Sequence, residues 1–113
     1  MMCEIFIQAD PELYASRAHS IRLHGAVTSI RLERLFWQVL EEIAARDGLT
    51  LNQLITRLYD ELLAARGRID NFTSFLRVSC LRYQSLMSDG SIPADASLPL
   101  RHIALPGHRT PVN

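Results

Sequence analysis

The 113-residue sequence has no lysine, few cysteines, no excess of basic residues and no long apolar run. Its 12 basic residues are all arginines and are balanced by 12 acids, so the chain is not polybasic. Cys3 and Cys80 lie far apart and have no motif spacing, which predicts reduced thiols in a cytoplasmic protein. Because no apolar run reaches about 20 residues, we expect no membrane span, and the start of the chain lacks the basic region of a signal peptide.

Motifs that carry catalysis or bind metals are also missing. The spacing of the four histidines (His19, His24, His102 and His108) matches no metal-ligand pattern. We find no glycine-rich phosphate loop, nucleophile elbow or Cys/His arrangement. Neighbouring acids such as Glu41 and Glu42 diverge on a helix and do not form a catalytic pair. The sequence therefore predicts no enzyme activity, no cofactor and no metal.

The residues that are present predict one folded domain with a local basic patch. Hydrophobic residues make up 48% of the chain and charged residues 21%, which favours folding over disorder. Residues 16–34 contain four arginines and one acid, whereas residues 38–63 contain five acids and two arginines. Such an asymmetry on a neutral protein is typical of a small electrostatic binding surface.

Hydrophobic periodicity divides the chain into strand-like segments followed by helices. Three helices are predicted, from Glu33 to Asp47, from Thr50 to just before Gly67, and from Asn71 to Ser88. Strand-like runs precede them at Cys3–Gln8, Ser20–Leu23 and Val27–Leu32, with a short helix from Pro11 to Ser16. Four of the five prolines follow Ser91, which predicts an extended or disordered tail, with docking through Leu98, Leu100 and Ile103 left open. These patterns divide the chain into an N-terminal extension (1–26), a core (27–66), a third helix (67–90) and a proline-rich tail (91–113).

The segment Val27–Leu32 alternates as an amphipathic strand should. Thr28, Ile30 and Leu32 share one face, and Val27, Ser29 and Arg31 share the other. A lone strand cannot satisfy its backbone groups, so this one needs a partner. The partner is Cys3–Gln8, Ser20–Leu23 or a second copy of the chain.

The tetrapeptide Ser-Ile-Arg-Leu occurs twice, at Ser20 and again at Ser29, nine residues later. Because nine is odd, two copies on one continuous strand would face opposite sides of a sheet. Two equivalent binding repeats on one strand are therefore not expected. A hairpin through His24-Gly25-Ala26-Val27 stays open as an alternative.

Three ordered motifs resemble those of the ribbon-helix-helix proteins, the Arc and MetJ class of DNA-binding dimers. They are Thr28-Ser29-Ile30-Arg31-Leu32-Glu33, the pair Phe36-Trp37, and Asn71-Phe72-Thr73-Ser74-Phe75-Leu76-Arg77. The resemblance covers about Ser20 to Met87. It implies a mainly α fold in which an intermolecular two-stranded antiparallel ribbon precedes two helices, here with an extra N-terminal strand and a third helix.

The resemblance also implies roles for individual residues. The ribbon would enter the DNA major groove, with Arg31 able to bridge guanine O6 and N7. The second helix would hold phosphate at its N-terminus. The implied sites are base reading by Val27, Ser29 and Arg31; phosphate contact by Thr50, Leu51, Asn52, Arg34 and Arg22; and a dimer core of Thr28, Ile30, Leu32, Leu35 and Phe36. Related strands more often carry a polar or basic residue where Val27 stands, which narrows the reading surface.

We therefore expect a cytoplasmic homodimer that binds double-stranded DNA and regulates transcription, with a tetramer on DNA left open. One alternative is the same dimer serving as an adaptor or antitoxin that binds a protein partner through its tail. Another is a monomer in which the three strand-like runs form one sheet. A third alternative concerns Arg31, which could form an ion pair with Glu33 or another neighbour on the strand surface and not read bases.

Overall fold

The computed structural model of the chain describes residues 2–103 and contains a two-stranded sheet followed by three long helices. The expected fold class, a ribbon and two helices with a third helix added, is confirmed. A short helix and a 3-10 turn precede the sheet. The elements are α1 (Glu4–Ile7), a 3-10 helix (Pro11–Tyr14), β1 (Ser16–Leu23), β2 (Ala26–Glu33), α2 (Arg34–Arg46), α3 (Leu51–Arg66) and α4 (Phe72–Ser88).

The predicted strand at Cys3–Gln8 is wrong, because these residues form the short helix α1. Their hydrogen bonds are local: the N–H of Ile7 donates to the carbonyl of Cys3 at 2.9 Å, and that of Gln8 to Glu4 at 3.1 Å. A strand without a neighbour would leave these groups unpaired, whereas a helical turn satisfies them within the segment. The apolar side chains of α1 are exposed, so it adds nothing to the core.

β1 and β2 form an antiparallel hairpin within one chain, so β1 is the partner that β2 required. The register runs from Ser16 opposite Glu33 to Leu23 opposite Ala26. The two-residue turn, His24 and Gly25, has φ angles of 50° and 84°, the left-handed conformations that tight hairpin turns need. The pairing of β2 with a second copy of the chain remains a prediction.

The helices α3 and α4 begin where their capping residues predict. Thr50 caps α3, with its hydroxyl accepting from the N–H of Gln53 at 3.1 Å, and Asn71 caps α4 through Ser74. The left-handed Gly67 ends α3. The inner face of the hairpin and one face of each helix enclose a single core, whose fully buried members are Leu32, Leu40, Ile55, Leu76 and Cys80. Among residues 2–103, none of the helices is both long and apolar enough to cross a membrane.

The first part of the tail docks on the helices. Ile92 is buried, and Leu100 and Ile103 pack against the core, whereas the Leu98 side chain stays exposed. The buried guanidinium of Arg46 holds the segment by donating to the carbonyl of Leu98 at 2.7 Å. Residues 104–113, which include the last two prolines and His108, lie outside the described part of the chain.

Candidate nucleic-acid interface

The hairpin has one buried face and one exposed face, and the exposed face carries the predicted reading residues. Val27, Ser29 and Arg31 are all exposed, and Val27 keeps 63% of its surface accessible. The register places a β1 residue opposite each of them: Arg22, Ser20 and Ala18 in turn, also exposed. We call this six-residue surface (Ala18, Ser20, Arg22, Val27, Ser29 and Arg31) the outer face.

The hairpin changes the meaning of the Ser-Ile-Arg-Leu repeat. Its two-residue turn places Ser20 directly opposite Ser29. With that register, the odd spacing puts both serines and both arginines on the outer face. Ile21 and Ile30 both point inward, and each is at least 95% buried. The two copies are therefore equivalent on a hairpin, although they could not be on one continuous strand.

The two arginines of the outer face have no carboxylate partner among residues 2–103. Arg31 makes one long hydrogen bond, from Nη1 to the hydroxyl of Ser16 at 3.4 Å. Glu33, the acid nearest to Arg31 in sequence, instead accepts from Arg77 Nε at 2.8 Å and Nη2 at 3.4 Å. The hydrogen bond from Arg77 lowers the pKa of Glu33 below its ordinary value. The side chains of Arg22 and Arg31 are thus left with uncompensated charge at an exposed surface.

The N-terminus of α3 lies against the edge of β1. The side-chain amide of Asn52 accepts from the N–H of Arg22 at 2.8 Å and donates to the carbonyl of Arg22 at 2.9 Å. At the turn, His24 Nε2 lies 2.6 Å from an oxygen of Asp60. These contacts fix the hairpin to α3, and they assign the Asn52 side chain to positioning the strand.

The other predicted phosphate contacts differ in how available they are. In the capping box of α3, the N–H of Thr50 donates to Gln53, so that N–H is engaged, while the Thr50 hydroxyl accepts from Gln53 N–H and keeps its own O–H to donate. The backbone N–H groups of Leu51 and Asn52 lie in the first turn, where no intrahelical acceptor exists. Arg34 shares the carboxylate of Glu12 with Arg17, at 3.4 and 2.9 Å, which offsets part of its charge.

The predicted dimer-core residues divide into two groups. Ile30 and Leu32 are 5% and 0% exposed within their own chain, and Phe36 is half-buried. Thr28 and Leu35 are exposed, Leu35 at 43%. Ile30 and Leu32 therefore serve the core of the single chain, and a role for any of the five between two chains remains a prediction.

Two residues near the interface have roles that the sequence does not indicate. Trp37 packs on β1: its indole N–H donates to the carbonyl of Arg17 at 2.9 Å, and its ring stacks on His19 at 4.0 Å. Arg46 is 4% exposed, and no sequence motif includes it. Its position on the apolar side of α2 is the one signal in the sequence that points to its burial.

Fold and outer face together define a ribbon-helix-helix protein. The family model of the ribbon-helix-helix domain matches residues 16–84, and the chain belongs to this family. The matched range begins at Ser16 and so includes β1 as well as β2.

Among solved structures, the chain is similar to that of an uncharacterized protein from Bordetella pertussis Tohama I. The two share 63% sequence identity, the match covers 91% of this chain and 82% of that chain, and the TM-score is 0.88. No curated protein matches the chain.

Proposed function

We propose that the protein binds double-stranded DNA through the outer face of its hairpin and acts in the cytoplasm as a homodimeric transcriptional regulator. The observation that carries this proposal is the exposed charge of Arg31, which has no carboxylate partner among residues 2–103, beside Ser29 on β2. A β-ribbon fits the major groove, and an arginine there can bridge guanine O6 and N7. Proteins of this family are in general regulators rather than enzymes, which agrees with this role.

The N-terminus of α3 supplies the phosphate contact of the proposed complex. Its free Leu51 and Asn52 N–H groups point along the helix axis, where the helix dipole favours an anion. Because Asn52 also binds the backbone of Arg22, this helix end stands beside the outer face at a fixed distance. Phosphate contacts of this kind set the register of a protein on DNA and leave base reading to the ribbon.

A gel-shift titration of random genomic duplexes at low and moderate salt tests the proposal. We expect binding whose affinity falls as salt rises, because bound phosphates release counterions. Arg31→Ala should weaken binding. The control variant Arg66→Ala removes the same charge from the far end of α3, about 20 Å from Asn52 along the helix, and should leave DNA binding unchanged. If the wild-type chain shows no salt-sensitive binding, the proposed function is wrong.

A second function, binding to a protein partner, is favoured by a separate observation. Leu35, Val78 and Leu81 are 43%, 60% and 61% exposed, and α1 exposes Ile5 and Phe6 at more than 70%. Such apolar residues on a small domain are typical of contact surfaces. A dimer used as an adaptor or antitoxin would bind its partner there or through the tail, and it would show little preference among DNA sequences.

A further inference from the structure

We propose that the exposed apolar side of α4 is part of the contact between two copies of the chain, so that the third helix joins β2 in forming the dimer. The inference rests on the homodimer of the proposed function. It extends the dimer contact to Val78 and Leu81, which the family resemblance did not assign to it, and it gives the exposed Leu35 a partner.

Three apolar side chains form a continuous patch where α2 begins and α4 passes it. Leu35, Val78 and Leu81 are 43%, 60% and 61% exposed, and we call them the α4 patch. Val78 and Leu81 are three residues apart and therefore lie on the same side of α4. Beside them, a groove of about 280 Å³ separates α2 from α4. It is lined by Leu35, Phe36, Val39, Cys80, Leu81 and Gln84.

The strand β2 has an unpaired edge in the described part of the chain. The sheet has two strands, so only one edge of β2 is paired. Asn52 binds the N–H and carbonyl of Arg22, so these groups point away from β2. Because such pairs alternate along an antiparallel ladder, the backbone groups of Ser29 and Arg31 point away from β1, toward the unpaired edge. Such an edge is a template for another strand.

The unpaired edge and the α4 patch belong to one surface. The helix α3 packs against β1, whereas α4 packs against β2, so the patch lies on the side of the unpaired edge. Arg77 of α4 binds Glu33, the last residue of β2, through Nε at 2.8 Å and Nη2 at 3.4 Å. Val78 follows Arg77 in sequence, and Leu35 lies two residues after Glu33. A molecule that adds a strand to β2 would therefore reach the patch as well.

The occupant that fits both parts of this surface is a second copy of the chain. Proteins of this family typically form dimers that bind DNA, and the edge of β2 can pair antiparallel with itself around a two-fold axis. Such pairing places the turn end of one hairpin beside the α4 end of the other. At the turn end, Thr28 is exposed on the inner face although Ile21, directly opposite it, is buried. Thr28 of the partner subunit would thus face Leu35, and both would gain cover.

This arrangement also bears on the DNA-binding surface. A two-fold axis perpendicular to the sheet leaves the outer faces of both chains on the same side, so one duplex can contact Arg31 of each chain. Loss of the α4 patch should therefore weaken DNA binding without any change to the outer face.

Sedimentation equilibrium of wild type, Leu81→Glu and Leu81→Ala at micromolar concentration tests the inference. Leu81→Glu places a charge in the proposed contact and should raise the dimer dissociation constant at least about 30-fold, and Leu81→Ala should raise it less. Leu63→Glu is the matched control, because Leu63 is a leucine 40% exposed at the far end of α3. It should dimerise as wild type does. Urea unfolding checks that each variant is folded.

Hydrogen exchange links the patch to the strand edge in the same samples. The N–H groups of Ser29 and Arg31 should be protected in the wild-type dimer and lose protection on dilution. In Leu81→Glu they should exchange fast at concentrations where wild type protects them. Protection that Leu81→Glu retains would show that the strand edge pairs without help from α4.

The outcomes separate this inference from the proposed function. If folded Leu81→Glu and Leu63→Glu both dimerise as tightly as wild type, the patch is no part of the contact; the inference is wrong and the proposed function stands. A wild-type chain that stays monomeric at micromolar concentration overturns the inference together with the proposed homodimer. A wild-type dimer that Leu81→Glu dissociates, but that binds no duplex, overturns the proposed DNA binding and supports the inference.

Discussion

The substitution Asn52→Asp tests the contact that holds the hairpin to α3. The aspartate keeps an oxygen that can accept from the N–H of Arg22, now at 2.8 Å. It loses the amide N–H that donates to the carbonyl of Arg22 at 2.9 Å, and it places a second oxygen against that carbonyl. The change in shape is small, so the effect comes from one hydrogen bond and one repulsive contact.

The expected cost follows from these two contacts. A typical intramolecular hydrogen bond contributes about 0.5–1.5 kcal/mol, and an acceptor left facing another acceptor costs about 1–3 kcal/mol when buried. Asn52 is half-buried, and a negative charge in the first turn of a helix regains about 0.3–1 kcal/mol. We expect the free energy of unfolding to fall by about 1–2 kcal/mol, together with weaker DNA binding.

The assay is urea unfolding followed by circular dichroism, with Gln53→Glu as the matched control. That variant adds the same charge one residue later. Its carboxylate can still accept from the N–H of Thr50, as Gln53 does at 2.9 Å. A glutamate at this position preserves the capping box that Gln53 forms, so we expect no loss of stability. If Asn52→Asp is as stable as Gln53→Glu, the Asn52 contact does not position the hairpin and the reasoning is refuted.

Three further outcomes follow from side chains outside the outer face. Burial raises the pKa of Cys80 to about 11, so a thiol reagent at pH 8 should modify only the exposed Cys3 in the native chain and both thiols in denaturant. Rapid modification of two thiols in the native chain would contradict this. Arg77 lowers the pKa of Glu33 from 4.5, so this half-exposed pair should add about 0.2–1 kcal/mol to the free energy of unfolding at pH 7. This contribution is lost as pH falls through the lowered pKa, so the difference in urea stability between wild type and Arg77→Ala should shrink toward pH 3. Arg46→Met removes the donor to the Leu98 carbonyl and should cost about 1–3 kcal/mol and speed proteolysis of the tail; an unchanged digestion pattern would mean that the apolar contacts alone hold it.

Local chemistry makes the helices predictable. The caps Thr50 and Asn71 bind backbone N–H groups within three residues, and Gly67 ends α3 through its left-handed conformation. Because these contacts are local, a sequence pattern is enough to place them. The alternation of Val27–Leu32 likewise predicts which side chains are exposed and which are buried at Val27, Ser29, Arg31, Ile30 and Leu32. Thr28 is the exception on the inner face, because it is exposed although Ile21, directly opposite it, is buried.

Long-range partners cannot be read from the sequence. Three candidates compete for the edge of β2, and the choice of β1 depends on a two-residue turn together with the side chain of Asn52, 30 residues away from Arg22. The same holds for Trp37, whose partners Arg17 and His19 lie on β1. The Ser-Ile-Arg-Leu repeat is visible in the sequence. Its odd spacing puts the two copies on opposite faces of a single strand but on the same face of this hairpin, and only the register decides which applies.

The central claim, that the outer face of the hairpin binds DNA, is tested most directly by titrating a pool-selected duplex with wild-type chain and with Arg31→Ala at two salt concentrations. The account predicts that wild-type affinity falls steeply with salt and that the variant, equally stable in urea, binds the selected duplex no better than an unrelated one. Wild-type and variant proteins with the same affinity for the selected duplex would contradict it.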